Sequence, residues 1–304
     1  MTQVIVELDL TVMHTIAVTG ATGFLGSHLF RYLVQRKYRV VVLKRSTSKL
    51  DRVSDILEKA DDVYDIDKVP VREIFSGNKI DAVLHCATHY GRGDVPPQDL
   101  IEANLTLPLS VLHWGSQNGM RAFLNTDTIL DKRVSSYSLS KKQFLEWLNV
   151  YSSRMTCATV ALEHFYGPGD DRTKFVTYLI QNLLKTVPEI DLTPGQQKRD
   201  FIFIDDIVSA FGLILEFSLK QNEGFHSFEV GSGNAISIRD FVTLVKKLTG
   251  NASTELKFGA LPYRENEVME SHVNISKLTE MGWRPKTALD EGLRRTISEE
   301  KKAL

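Results

Sequence analysis

The segment Thr19-Gly20-Ala21-Thr22-Gly23-Phe24-Leu25-Gly26 follows directly on the β-branched run Thr15 to Thr19 and opens an amphipathic stretch at Phe24. Gly20 permits a tight turn, Gly23 lets backbone approach a pyrophosphate, and Gly26 lets a helix pack closely on the preceding strand. The unpaired N–H groups and partial positive charge of the helix start then suit phosphate. Three glycines alone are a weak signal. A strand before and a helix after turn them into a dinucleotide fingerprint, with Thr22, Phe24 and Leu25 as further candidate contacts.

The surrounding chain continues the same pattern. Thr15 to Thr19, Arg39 to Leu43, Ala82 to His85, Ala122 to Asn125 and Thr159 to Leu162 read as buried strands, and Phe24 to Arg36, Pro97 to Asn118 and Ser136 to Ser152 as helices. Strict alternation implies right-handed βαβ units, hence an α/β fold with a Rossmann-type, doubly wound parallel sheet. After Gly167-Pro168-Gly169 the pattern loosens into helix (Phe175 to Lys185), strand (Phe201 to Ile204), helix (Asp206 to Leu219), strand (Phe225 to Val230) and helix (Ile238 to Leu248). The expected division is a dinucleotide domain over 13–165 with 200–235 returning to it. A smaller, interwoven C-terminal α/β lobe for substrate takes 166–199 and 236–304, and 1–12 form a flexible extension, with Met13 as an alternative start.

Composition removes several classes. With 37 basic and 38 acidic residues in 304, a net charge of −1 gives no electrostatic basis for nucleic-acid or anionic-membrane binding. No apolar run approaches the roughly 20 residues of a membrane span, and no signal peptide precedes the first strand. Cys86 and Cys157 form neither a disulfide framework nor a zinc pattern, which fits a reducing, cytoplasmic setting. His85 and His89 do not share a helical face, so no metal site is expected.

The end of the second strand reads Lys44-Arg45-Ser46, where a binder of the unphosphorylated cofactor usually carries a carboxylate for the ribose 2′-OH. Two cations and a hydroxyl suit a 2′-phosphate, so the reading is NADP(H); solvated loop residues are the alternative. Tyr137 and Lys141 lie four apart at a helix start, on one face. A phenol titrates near 10, and a neighbouring ammonium is expected to stabilise its phenolate.

These features resemble the extended short-chain dehydrogenase/reductase family, with its TGxxGxxG turn, a hydroxyl residue after the fourth main strand, and YxxxK. The resemblance spans nearly the whole chain and implies catalytic roles for Tyr137, Lys141 and a threonine. The S/T-D pattern makes Thr126 first choice with Thr128 as rival, and the customary Tyr-Gly after it is replaced by Leu130-Asp131. It implies cofactor contacts at Asp65, Ile66, Cys86, Ala87, Thr88, Asn104, Leu162 and His164, the last standing where Asn is common. It implies substrate contacts at His89, Tyr90, Arg92, Lys174, Phe175 and Gln197, with Arg199 and Arg264 on a diphosphate. Helices 97–118 and 136–152 would pair in a homodimer.

Within the family, His89-Tyr90-Gly91-Arg92, Leu162-Glu163-His164-Phe165-Tyr166-Gly167 and Glu229-Val230-Gly231-Ser232-Gly233 look like the CDP-paratose and CDP-abequose synthase branch. That implies NADPH-dependent reduction of the 4-keto group of a nucleotide-linked deoxyhexose, for bacterial surface polysaccharide. The rivals are a reductase of a dTDP-4-keto-6-deoxy sugar, a 4-epimerase or 4,6-dehydratase retaining NAD+, and a non-catalytic NADP(H)-sensing or scaffold protein. A dehydratase of this family would carry Glu where Thr128 follows Asp127.

Overall fold

A computed structural model describes residues 13–265 and 267–303. The extension read at 1–12 lies outside the described residues. The first half runs β1 (Thr15–Thr19), α1 (Phe24–Gln35), β2 (Arg39–Lys44), β3 (Asp62–Asp65), α2 (Val71–Gly77), β4 (Ala82–His85), α3 (Pro97–Ile101), α4 (Leu107–Gln117), β5 (Ala122–Thr128), α5 (Ser136–Tyr151) and β6 (Thr156–Leu162). The second runs β7 (His164–Tyr166), α6 (Phe175–Leu184), β8 (Glu189–Leu192), β9 (Lys198–Phe203), α7 (Ile204–Lys220), β10 (Gly224–Val230), β11 (Ala235–Ser237), α8 (Ile238–Thr249), β12 (Glu255–Phe258), α9 (Ser276–Glu280) and α10 (Leu289–Lys302).

Among the described residues, seven strands form one parallel sheet in the order β10-β6-β5-β4-β1-β2-β3. Successive strand residues face opposite sides. Ile16, Val18, Leu124 and Val160 therefore join a core with α1 and α7, while Ala17, Val83, Phe123 and Cys157 join another with α2, α4 and α5. This is the doubly wound Rossmann-type architecture. The chain leaves β1 toward β2 on one side and returns to β4 on the other, so a crevice opens at the carboxyl ends of β1 and β4.

Three expectations about elements are corrected. β5 runs to Thr128 instead of stopping at Asn125, because Thr126, Asp127 and Thr128 pair with Val160, Ala161 and Leu162 of β6. Pro97 to Asn118 is not one regular helix: Glu102–Thr106 widens into a π turn between α3 and α4. Pro108 has no N–H to offer the carbonyl four residues back, at Asn104, and the wider turn absorbs that missing bond. The strand expected at Phe201 starts at Lys198 and pairs with β7 and β11 in a small three-stranded sheet. α7 and β10 then carry the chain back to the main sheet beside β6.

β8 and β12, four residues each, pair apart from both sheets. The tail is fastened to α7. Trp283 Nε1 donates to Ser209 Oγ (2.8 Å), and the buried Asp206 carboxylate accepts from the N–H groups of Lys286 (2.9 Å) and Thr287 (3.0 Å). No helix of the described residues is long and apolar enough to cross a membrane. Asp206→Ala leaves two backbone donors without their acceptor and is expected to lower stability by about 2–4 kcal/mol in urea unfolding. A midpoint within error of wild type would mean that the tail is held by packing alone.

Candidate active site

The glycine turn is built by close approach of backbones. Gly20 has φ +67°, and a Cβ there would stand 2.6 Å from the Ala87 nitrogen; one at Gly26 would stand 2.1 Å from the Gly20 carbonyl oxygen. The Gly23 N–H donates to that carbonyl (2.9 Å), and no side chain caps α1. Thr19 Oγ1 bonds His85 Nδ1 (2.7 Å) and accepts from the Ala87 N–H (3.3 Å), which ties the end of β1 to the Cys86-Ala87-Thr88 segment. Burial drives the His85 imidazole well below its ordinary pKa, so it stands neutral between Phe123 and Phe144.

α5 presents Tyr137 and Lys141 from its first turns, and its start is fixed by a capping box. The Ser138 N–H donates to Ser135 Oγ and the Ser135 N–H to Ser138 Oγ, both at 3.1 Å. Lys142 then staples the helix to β5, donating to the buried Asp127 carboxylate (2.6 Å) and to the Thr128 carbonyl (2.7 Å). From the other side the buried Asn104 amide donates to the His89 carbonyl (2.9 Å) and Ser140 Oγ (3.0 Å), and its oxygen accepts from the His89 N–H (2.8 Å) and Thr88 Oγ1 (3.2 Å). The π turn thus holds the loop after β4 against α5. Asn104 uses its amide on protein groups and braces the loop, as the family's asparagine at this place is expected to.

Tyr137 and Tyr90 rings lie 5.3 Å apart. Burial, with Tyr90 and Asp127 adding, pushes the phenol above its ordinary value. Desolvation acts against the help expected from Lys141, and Tyr137 is protonated at neutral pH. Lys141 is pulled down to about 8 by burial, against the opposing influence of Asp127 and Cys86. Its Nζ is buried with no hydrogen-bond partner among the described residues. An orphaned ammonium beside a glycine-lined crossing fits a nicotinamide dinucleotide whose ribose supplies the missing acceptors.

The two threonines differ. Thr126 Oγ1 donates to the His85 carbonyl (3.0 Å) within the sheet. Thr128, at the end of β5, accepts from the Leu130 N–H (3.2 Å).

Several expected ligand contacts are taken by protein partners. Lys44 pairs with Asp65, and Ser46 with Asp67, while Arg45 is exposed. Arg92 bonds Thr173 and approaches Asp171 (3.8 Å), with its guanidinium 5.3 Å from the Tyr90 ring centroid. Lys174 pairs with Asp170 (3.0 Å) over the Phe165 ring, and Phe175 packs on Phe241. Arg199 pairs with Glu267 and the Val268 carbonyl, Gln197 donates to Thr193 Oγ1 (2.9 Å), and Arg264 is exposed. His164 lies 3.5 Å from Glu163 and edge-on to Phe201, and Leu162 is buried at the end of β6. Lys142, Asp67 and Glu267 escaped the sequence reading. The first two carried a signal, a second lysine directly after Lys141 and a second carboxylate two residues after Asp65.

The fold and this cluster define a Rossmann-type site for a nicotinamide cofactor. The chain belongs to the NAD dependent epimerase/dehydratase family, whose model matches residues 16–231. A CDP-abequose synthase of Salmonella muenchen is 33% identical over 298 residues, covering 95% of this chain and 99% of that one. Its counterpart in Salmonella typhimurium strain LT2 is 32% identical over 91% and 95%. A UDP-glucose 4-epimerase of Thermotoga maritima solved with UDP-glucose superposes with a TM-score of 0.83 at 23% identity, covering 95% of this chain and 99% of that one. A UDP-glucuronic acid 4-epimerase of Bacillus cereus, solved with UDP-glucuronic acid and NAD, gives 0.83 at 23% over 95% and 100%.

Lys142→Met strands the Asp127 carboxylate in the interior and frees the start of α5. A loss of about 3–5 kcal/mol in stability is expected in denaturant titration. A loss under about 1 kcal/mol would show the staple to be dispensable.

Proposed function

We propose that the protein is an NADPH-dependent reductase of the 4-keto group of a CDP-linked 3,6-dideoxyhexose. The reading is supported most by the protonated Tyr137 beside the buried, unpartnered Lys141, together with relatives named CDP-abequose synthase. When bound, the reduced nicotinamide supplies hydride to the keto carbon. Tyr137 gives its proton to the carbonyl oxygen as negative charge develops there, and its raised pKa keeps that proton in place beforehand. Lys141 holds the nicotinamide ribose and places positive charge next to the phenol as it deprotonates. Thr128 polarises the carbonyl, since its hydroxyl proton is not committed to the sheet as that of Thr126 is. Arg264 stands ready for the diphosphate, and Arg199 joins it once Glu267 yields. The enzyme works in the cytoplasm, as a homodimer joined through the exposed Leu139, Trp147 and Val150 of α5.

A second reading, a 4-epimerase that retains NAD+, is favoured by the two carboxylates at the end of β3, which offset the cations after β2. Net oxidation of NADPH by a CDP-linked 4-keto-3,6-dideoxyhexose separates the two.

Tyr137→Phe is expected to lower kcat by about 10²–10⁴ while the NADPH Kd stays near wild type. Unchanged turnover removes the proton donor. Because Lys141 is held at about 8, its charge disappears as pH rises through that value, so reduction is expected to decline above about pH 8. A rate that stays flat to about pH 10, the ordinary lysine range, would contradict that role.

A further inference from the structure

β2 and β3 run parallel at the edge of the main sheet, with Lys44 opposite Asp65. Two residues beyond that pair, Asp67 grips Ser46 with both oxygens, accepting from its N–H (2.7 Å) and from its hydroxyl (2.5 Å). Those bonds hold the Asp67 carboxyl below the usual range, so it is ionised at neutral pH. Lys44 is meanwhile committed to Asp65, with its side chain 12% exposed. In a fold of this type the end of the second strand faces the 2′ position of the adenosine ribose. Two cations and two carboxylates therefore meet where a 2′-phosphate would dock. The Ser46 donors that such a phosphate would use are already engaged by an anion.

We infer that Asp67 is a specificity-determining residue that weakens binding of the 2′-phosphate, so that discrimination between NADPH and NADH is set by Asp67 against Lys44 and Arg45. This rests on the proposed use of NADP(H). A phosphate approaching Ser46 must displace the carboxylate and bear its repulsion, whereas a 2′-hydroxyl carries no charge to be repelled. Asp65 is unsuited to the test because its expected place at the adenine edge would make substitution affect both cofactors.

The experiment is equilibrium titration of wild type, Asp67→Asn and Asp67→Ala with NADPH and with NADH, followed by quenching of tryptophan fluorescence. Asn removes the charge and keeps one acceptor for Ser46; Ala removes both. The NADPH Kd is expected to fall about five- to tenfold in Asp67→Asn, with the NADH Kd within about twofold of wild type. The gain should shrink in about 0.5 M salt, the mark of an electrostatic effect that a mere loop brace would not show. An NADPH-to-NADH ratio unchanged in both variants, or affinities for both cofactors that fall together, overturns the assignment. Wild type that binds NADH more tightly than NADPH would count against the proposed cofactor, and the change on substitution would still decide the role of Asp67.

Discussion

The hold of Asn104 on the loop after β4 is the constraint on which the site depends. One buried amide ties Thr88 and His89 to Ser140 of α5, and it can do so because the π turn carries Asn104 at that place. Lys142 completes the fixation from the β5 side through Asp127. A helix start locked by a capping box, a loop and a strand end is thereby made into one rigid unit. Tyr137, Lys141 and Thr128 owe their mutual placement to it and not to their own contacts.

That rigidity has an electrostatic consequence. The same burial that orders the cluster pushes the Tyr137 phenol up and pulls the Lys141 ammonium down, so each group is displaced toward its neutral form. For a proton donor this keeps the proton in place but weakens the acid, so transfer relies on the developing alkoxide being a stronger base than the phenolate and on the charge of Lys141. The ammonium pays for its position with an unsatisfied Nζ, a cost that an acceptor from outside the chain would offset.

Much of this was legible in the sequence where the constraint is local. The glycine turn could be read because Gly20 and Gly26 sit where a Cβ has no room, and Tyr137 and Lys141 because helical spacing alone aligns them. For the phenol, spacing reveals a neighbouring charge but not the desolvation that acts against it. Arg199, Lys174 and Ser46 read as candidate ligand contacts, and the fold adds their protein partners Glu267, Asp170 and Asp67, of which Glu267, far away in sequence, is declared only by the fold. Pairing with β6 likewise decided that Thr126 and Thr128 lie within a strand and that their hydroxyls differ in what they bond.

The most direct measurement follows the hydrogen itself. NADPH carrying deuterium at its transferable position would be turned over with a CDP-linked 4-keto-3,6-dideoxyhexose and the sugar examined by NMR. One deuterium at the sugar C4 for each NADP+ formed is the expected result. A sugar altered at C4 that carries no label, with NADPH unconsumed, would contradict reduction and leave the cluster to an internal redox cycle.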